Sequence, residues 1–301
     1  MATTRRLVVT GATGKQGGAL ISALLSRPSQ PFEIYAITRD KTSGSAQRLA
    51  NKPNVHVIQG NFDDPVSIFK QIEKPWGLFS VTMPLNAKKE EHQGKAMTAA
   101  AVDAGIKHII FTATDRGPNT DTDPTPIPHF ASKFHIEQDI IAKSEAAGKD
   151  LTYTFLRPVA FYENLSNNFL GRAFAEMWRL NGPSTELQLI STTDMGKLAA
   201  EAFLNAESPE YRNRAISLAG DATSPDEAAR VSREETGREM EGTYGVVART
   251  LKWVLNEQLG IMFNWFKSTG FNANVPELRK RYPFLKDFRS WLREESAWKK
   301  V

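Results

Sequence analysis

The chain has 301 residues and 41% apolar content, which is enough for one large core or for a main domain with a smaller one. It contains no cysteine, which excludes disulfides, thiolate catalysis and cysteine-ligated metal. The net charge of +4 comes from residues 276–301, which hold eight Lys or Arg and four Asp or Glu. Positive and negative charges are equal in number over the rest of the chain, so the charge does not indicate a nucleic-acid-binding domain.

The sequence shows no sign of export or of membrane insertion. No apolar run approaches the roughly 20 residues needed to span a bilayer. Residues 1–6 lead directly into the first predicted strand, without the apolar stretch of a signal peptide. We therefore expect a cytoplasmic protein that does not contact a membrane.

The first predicted elements are a strand, a glycine-rich loop and a helix. The β-branched run of residues 7–10 is followed by glycines at Gly11, Gly14 and Gly17. Apolar residues then recur at helical spacing, at Leu20, Ile21, Leu24 and Leu25. In this order, Gly11 allows a sharp turn, Gly14 lets backbone amides approach a pyrophosphate, and Gly17 brings the helix close to the sheet. The sequence therefore predicts a dinucleotide site in which the pyrophosphate faces the N-terminus of the helix.

The residues after the second strand bear on the choice of nucleotide. Residues 33–37 form that strand, and Thr38 stands where an NAD-binding unit usually has an acidic residue for the ribose 2′-hydroxyl. Arg39 follows, and a guanidinium can form paired hydrogen bonds to a 2′-phosphate, with Lys41 as a second cation. This pattern favours NADP(H), while Asp40 leaves NAD open.

Strands and helices continue to alternate along the first half of the chain. Further strands are predicted at residues 55–58, 77–81, 108–112 and 151–156, and helices at residues 65–73, 90–104 and 130–147. Because each parallel step needs a crossover, the six strands predict an α/β fold with a doubly wound parallel sheet. Before the second of these helices, Lys88 and Lys89 balance Glu90 and Glu91, which indicates a solvated helix start.

Beyond residue 158 the alternation fades, and the pattern is mostly helical. Short strands are predicted near residues 188–190 and 215–218, and an amphipathic helix packed on the body in residues 276–301. We place a nucleotide-binding domain at residues 1–157, to which elements of 188–218 could return, and a smaller, mostly helical domain at residues 158–301. Eight aromatic residues could line an apolar substrate pocket or form core: Phe130, Phe161, Tyr162, Phe169, Trp178, Phe263, Trp265 and Phe266.

Five stretches together resemble the NmrA-like family, a group of atypical short-chain dehydrogenase/reductase relatives. They are residues 11–18, 38–39, 59–64, 129–133 and 157–164. The resemblance runs from the first strand to the C-terminal helices. It implies a Rossmann domain that holds NADP(H) at the C-terminal ends of the strands, with a smaller C-terminal substrate-binding domain.

The resemblance also implies a role for individual residues around the cofactor. Thr13, Gly14, Lys15 and Gln16 would form the pyrophosphate loop, and Arg39 would bind the 2′-phosphate. Asn61 and Phe62 would lie by the adenine, Val81 and Thr82 by the ribose, and Phe161 by the nicotinamide. The family more often has an acid at position 61, but the amide oxygen of Asn61 can still accept from an exocyclic amine.

The catalytic positions depart from the usual short-chain dehydrogenase pattern. Thr112 stands where the family of dehydrogenases has a Ser, His129 stands in place of the Tyr, and Lys133 keeps its place four residues later on the same helix face. The missing tyrosine puts ordinary alcohol oxidation in doubt, whereas cofactor binding is unaffected. We predict no metal site, because a spacing of six places His129 and His135 on different faces of the helix.

Two functions are consistent with this substitution. The first is an NADPH-dependent reductase of an apolar or aromatic carbonyl or enone, in which His129 or water supplies the proton; imidazole, with a reference pKa near 6.5, suits this role. The second is an NADP(H)-sensing regulator that acts through a protein partner. The aromatic residues favour the reductase. We expect a monomer or homodimer.

Overall fold

The computed structural model describes residues 4–28, 31–84, 86–240, 242–243, 245 and 259–298. The last residues of the predicted C-terminal helix, 299–301, therefore lie outside the described residues. The strands are β1 (Arg5–Val9), β2 (Phe32–Thr38), β3 (Val55–Gln59), β4 (Gly77–Ser80), β5 (His108–Thr112), β6 (Thr152–Pro158), β7 (Ala160–Phe161), β8 (Leu187–Ile190), β9 (Arg214–Leu218) and β10 (Asp221–Thr223).

The helices that the structure describes connect these strands or follow them. They are α1 (Lys15–Leu25), α2 (Gly44–Ala50), α3 (Pro65–Phe69), α4 (Ala87–Asp103), α5 (Pro128–Ala147), α6 (Phe169–Arg179), α7 (Thr192–Leu204), α8 (Pro225–Thr236), α9 (Ile261–Ser268), α10 (Val275–Arg281) and α11 (Phe288–Glu294). Within the described ranges, no helix is long and apolar enough to cross a membrane.

The main sheet has seven strands in the order β3-β2-β1-β4-β5-β6-β9. The pairings from β3 through β6 are all parallel. This arrangement confirms the predicted doubly wound, Rossmann-type α/β fold. The strand order reverses between β1 and β4, and ligands of such sheets bind outside the carboxyl ends of the strands at this point. A smaller sheet has the order β10-β8-β7.

The chain divides into two compact units. Unit 1 comprises Met1–Ala113, Ala131–Arg157 and Met195–Ile216, and unit 2 comprises Thr114–Phe130, Pro158–Asp194 and Ser217–Val301. A single domain boundary at residue 157 stays a prediction.

The core of unit 1 lies between the main sheet and its helices. Val8, Leu78 and Ile109 from three neighbouring strands are fully buried with Met97 of α4 and Ile136 of α5. These apolar runs are buried on both faces, as expected of a parallel sheet covered by helices. Inside the same unit, Arg157 Nε and Nη2 of β6 donate to the two carboxylate oxygens of Glu137 of α5 at 2.8 and 2.9 Å. This pair fixes α5, which carries several predicted site residues, against the sheet.

Most of the eight aromatic residues belong to the core of unit 2, which is one of the two alternatives that the sequence left open. Six of the eight candidates are buried in one apolar cluster: Phe130, Tyr162, Trp178, Phe263, Trp265 and Phe266. Tyr162 stacks on Trp291 with ring centroids 5.2 Å apart and donates its hydroxyl hydrogen to the carbonyl of Lys286. Phe169 instead has 57% of its surface exposed at the start of α6.

The predicted C-terminal helix is also corrected, because two short helices, α10 and α11, occupy this part of unit 2. Pro283 separates them, since proline lacks a backbone donor and disfavours helical geometry in the residue before it. Tyr282 accordingly has φ −124° and ψ 78°. The apolar residues still face inward: Leu285, Phe288, Trp291 and Leu292 are buried.

Candidate functional site

Two positions, one in the loop after β1 and one in the first turn of α1, accept only glycine. Gly11 has φ +58°, and a Cβ there would lie 2.6 Å from Val81 Cγ1. A Cβ on Gly17 would lie 2.4 Å from the carbonyl oxygen of Gly11. Because that contact is with backbone, it cannot be relieved by rotating a side chain. The first turn of α1 is therefore held directly against the end of β1, as the glycine spacing predicts.

Helix α1 begins without a side-chain cap. Its N-cap residue is Gly14, and no side chain there accepts a hydrogen bond from the helix. In contrast, Ser43, Asp64, Asn86, Asn168 and Ser224 cap helices α2, α3, α4, α6 and α8 with side-chain oxygens. No N-cap side chain therefore occupies the first backbone N–H groups of α1. These N–H groups and the positive end of the helix dipole together suit an anion. Thr13 and Lys15 are exposed beside them.

Gln16, in the first turn of α1, has a buried amide oxygen. Within the described part of the chain, this Oε1 has no hydrogen-bond donor. Buried polar atoms are nearly always satisfied by protein, water or ligand. Gln16 is therefore the loop residue whose environment is most consistent with a bound polar group.

The residues after β2 form a tight turn that engages Asp40 and leaves the Arg39 side chain exposed. The Thr38 hydroxyl donates to the Asp40 carbonyl at 3.2 Å. Asp40 Oδ1 accepts from the Thr42 amide at 2.8 Å and from its hydroxyl at 2.6 Å. The Thr42 hydroxyl and amide hydrogen bonds lower the pKa of Asp40, so its carboxylate is engaged within the turn. Arg39 is exposed, and no described residue pairs with its guanidinium.

The end of β3 places Asn61 and Phe62 in a turn before α3. Asn61 Oδ1 accepts from the amide of Asp63 at 2.7 Å and from the amide of Asp64 at 3.2 Å. Because both lone pairs of that oxygen are used, an adenine amine would compete with the turn for Asn61. The ring of Phe62 is half-buried and packs on the core of unit 1.

The end of β4 is held by a residue outside the predicted set, Thr10. Its hydroxyl donates to the carbonyl of Phe79 at 3.1 Å and accepts from the amide of Val81 at 2.9 Å. Val81 and Thr82 therefore stand beside the glycine loop, at the carboxyl edge of the sheet. The loops after β1, β2, β3 and β4 share this edge because the four strands are parallel.

Lys133 is bound into a buried polar cluster with Thr82, Glu90 and Ser132. Its Nζ lies 2.9 Å from Glu90 Oε1 and donates to Thr82 Oγ1 at 3.1 Å. The hydroxyls of Thr82 and Ser132 each donate to the Glu90 carboxylate at 2.6 Å. Burial raises the pKa of Glu90, but the Lys133 ammonium and these hydrogen bonds outweigh it and hold the pKa below its usual range. Glu90 is thus ionised in the interior, opposite an ammonium group.

Glu90 corrects the prediction that this helix start is solvated, since only 1% of its surface is exposed. Lys88, Lys89 and Glu91 do reach solvent. The buried residues of α4 include Glu90, Gly94, Met97, Thr98 and Ala101. This spacing of four, three, one and three is the helical repeat of a buried face, so the periodicity itself could have placed the Glu90 carboxylate inside.

The other three predicted residues lie at strand and helix ends. Thr112 is the last residue of β5; its hydroxyl is buried and has no hydrogen-bond partner within the described residues. His129 is the second residue of α5, half-buried, with its ring perpendicular to that of Phe130 at 4.9 Å. Phe161 ends β7 and is half-buried. Thr112 belongs to unit 1, whereas His129 and Phe161 belong to unit 2.

Comparisons with known proteins identify the family of the chain. The profile of the NmrA-like family matches residues 3–291. The chain is 31% identical over 119 residues to the NmrA-like family domain-containing oxidoreductase hkm9 of Aspergillus hancockii, covering 37% of this chain and 34% of that protein. It is 28% identical over 172 residues to the oxidoreductase ptmS of Penicillium ochrochloron, covering 54% and 50%. The matches thus span between about a third and half of the length of these curated relatives.

Solved structures of similar fold include a regulator and a reductase. One is NmrA, a negative transcriptional regulator, in complex with NADP, with a TM-score of 0.72 at 19% identity over 97% of this chain and 95% of that chain. Another is the Citrobacter sp. triphenylmethane reductase complexed with NADP(H), with a TM-score of 0.70 at 20% identity over 95% of this chain and 97% of that chain. At these identities the likeness establishes the fold. The family profile, which covers nearly the whole chain, shows that the protein belongs to the NmrA-like family.

Proposed function

We propose that this chain binds NADP(H) at the carboxyl edge of the main sheet and uses it to reduce an apolar or aromatic carbonyl or enone. The observation that carries the proposal is the uncapped start of α1 behind Gly11 and Gly17. A helix that begins this way presents free amides to a phosphate group. The NADP-bound and NADP(H)-bound relatives of the same fold support this assignment.

The residues present fit this cofactor. The amides of Lys15, Gln16 and Gly17 would bind the pyrophosphate, and the exposed Arg39 would bind the 2′-phosphate through charge-assisted hydrogen bonds. Asp40 is engaged by Thr42, which weakens the case for NAD, whose ribose is usually held by a free carboxylate. The unsatisfied oxygens of Gln16 and Thr112 are two buried polar atoms that a bound nucleotide and substrate would supply with partners.

When bound, NADPH supplies a hydride to the substrate. The protein has to provide a proton at the substrate oxygen or carbon and hold the ribose. Lys133 has three N–H donors, of which Thr82 and Glu90 occupy two; with no third partner among the described residues, one N–H would serve a ribose hydroxyl. His129 would donate the proton in place of the missing tyrosine, and the Thr112 hydroxyl would hydrogen-bond the reacting oxygen.

A substrate screen tests the reductase proposal. Apolar ketones, quinones and enones are each mixed with the chain and NADPH, and loss of NADPH absorbance is followed, with NADH as the matched control. We expect turnover of at least one class with NADPH and much slower turnover with NADH. If NADPH binds but no member of the panel is reduced, the reductase proposal fails.

A second candidate is a non-catalytic redox regulator that acts on a protein partner. His129 in the tyrosine position favours it, as does the fold likeness to NmrA, a negative transcriptional regulator. A regulator of this kind needs NADP⁺ and NADPH to bind the partner-competent state with different affinities, because equal affinities shift no equilibrium. The absence of turnover together with a redox-dependent change in oligomer or partner binding would favour this function.

A further inference from the structure

The buried Glu90 carboxylate has more partners than charge neutralisation requires. Its two oxygens accept from two hydroxyls, those of Thr82 and Ser132, in addition to contacting the Lys133 ammonium. The carboxylate therefore cannot rotate without breaking several hydrogen bonds. Thr82 is shared, since its hydroxyl donates to Glu90 and accepts from Lys133. The result is a closed set of contacts that fixes both the carboxylate and the ammonium.

The surroundings of Lys133 make this support necessary. Lys133 has only 8% of its surface exposed, and its Nζ lies 5.7 Å from the centre of the Phe111 ring. A charged group in such a place is costly to bury unless an opposite charge is close. Glu90 is the anion that the structure places there. Without it, the Lys133 side chain would lose one of the two contacts that orient it.

We infer that Glu90 is a positioning residue of the cofactor site: it orients the Lys133 side chain, with one N–H left for the nicotinamide-side ribose. This inference rests on the proposed NADP(H) binding. It makes Lys133 a fixed binding group, because the Glu90 carboxylate and the Thr82 hydroxyl hold its Nζ in place. It also predicts that Glu90 affects only the half of the cofactor that Lys133 holds.

The test compares two probes on the full chain. Calorimetry measures the affinity of NADPH and of adenosine 2′,5′-bisphosphate, which has the 2′-phosphate and adenine but lacks the nicotinamide ribose. Glu90→Gln should weaken NADPH about tenfold, the scale of one hydrogen bond to a charged group, and change the affinity for the shorter probe less than about twofold. A purely structural role would weaken both probes alike.

Glu91→Gln is the matched control. Glu91 is the next residue of α4 and pairs with Lys95 and His135, but its side chain is 31% exposed. This variant should bind both probes as the unmodified chain does.

A double-variant comparison keeps the inference testable even if Glu90→Gln folds poorly. In a Lys133→Met background no ammonium remains, so adding Glu90→Gln should leave NADPH affinity unchanged within about twofold. A further large loss would contradict an action through Lys133. Equal weakening of both probes by Glu90→Gln, or no weakening of NADPH, would also overturn the inference. If the unmodified chain does not bind NADPH, the proposed function fails first, and that result is distinct from the others.

Discussion

Replacing Lys133 by Met should lower the free energy of unfolding by about 3–5 kcal/mol, because it leaves a buried carboxylate without its counter-charge. Glu90 is 1% exposed, and the remaining hydrogen bonds from Thr82 and Ser132 replace only part of the lost interaction. Urea unfolding of the cofactor-free chain at neutral pH measures this loss. The double variant Lys133→Met/Glu90→Gln should recover most of it, since no buried charge is left.

The loss of unfolding free energy in Lys133→Met should depend on pH, and the pKa of Glu90 determines the direction. In the unmodified chain the pKa of Glu90 is lowered, so its contribution to stability is present at neutral pH and is lost as the pH falls through that lowered value. In the Lys133→Met variant the ammonium no longer opposes burial, which favours the neutral form of the Glu90 carboxyl, and only the Thr82 and Ser132 hydrogen bonds still lower its pKa. The difference between the two chains should therefore be largest at neutral pH and shrink on acidification.

Lys143→Met is the control for this stability measurement. Lys143 lies on the same helix and pairs with Asp139, but both side chains are partly exposed. A pair of this kind contributes about 0–1 kcal/mol. A Lys133→Met variant no less stable than Lys143→Met would mean that Glu90 is not ionised in the folded chain.

His129→Ala should reduce turnover by about 10²–10⁴-fold with a substrate identified in the screen, the usual contribution of a positioned general acid. NADPH affinity should remain unchanged, because the binding groups proposed for the cofactor lie in the glycine loop, at Arg39 and at Lys133. Since the donor form of the imidazole is protonated, turnover of the unmodified chain should also fall as the pH rises. Steady-state rates and NADPH titration of the same variant measure both quantities.

His135→Ala, on the same helix, provides the comparison. His135 is exposed and pairs with Glu91, so its loss should leave turnover intact. If His129→Ala is as active as His135→Ala, the proton comes from water, and the reductase proposal stands without His129.

The parts of the fold that could be predicted are those determined by local chemistry. Gly11 and Gly17 occupy positions where a Cβ would collide with neighbouring atoms, so the glycine spacing alone predicts the loop. The apolar, β-branched runs predicted six strands of the main sheet, because such residues favour strands locally. Helix α2 was not predicted, because Gly44 and Ser45 are typical loop residues, and it is the Ser43 cap that starts the helix.

The rest depended on contacts between distant residues. Glu90 and Lys133 are 43 positions apart in sequence, and nothing local to either residue reveals the other. The charge run around Glu90 resembles a solvated surface, and only the helical repeat of α4 places it inside. Aromatic residues were equally ambiguous, since Phe263 and Trp265 satisfy a pocket and a core alike until their neighbours are known.

The central claim, that this chain is an NADP(H) protein whose selectivity comes from Arg39, is tested most directly by calorimetry of Arg39→Ala with NADPH and with NADH. Arg39 is exposed, so the variant should fold normally. Lys41→Ala, which removes the second exposed cation of this turn, is measured for comparison. We predict that Arg39→Ala weakens NADPH by about 1.5–3 kcal/mol, the scale of hydrogen bonds to a charged group, and leaves NADH nearly unchanged. Equal losses for the two cofactors would contradict the account.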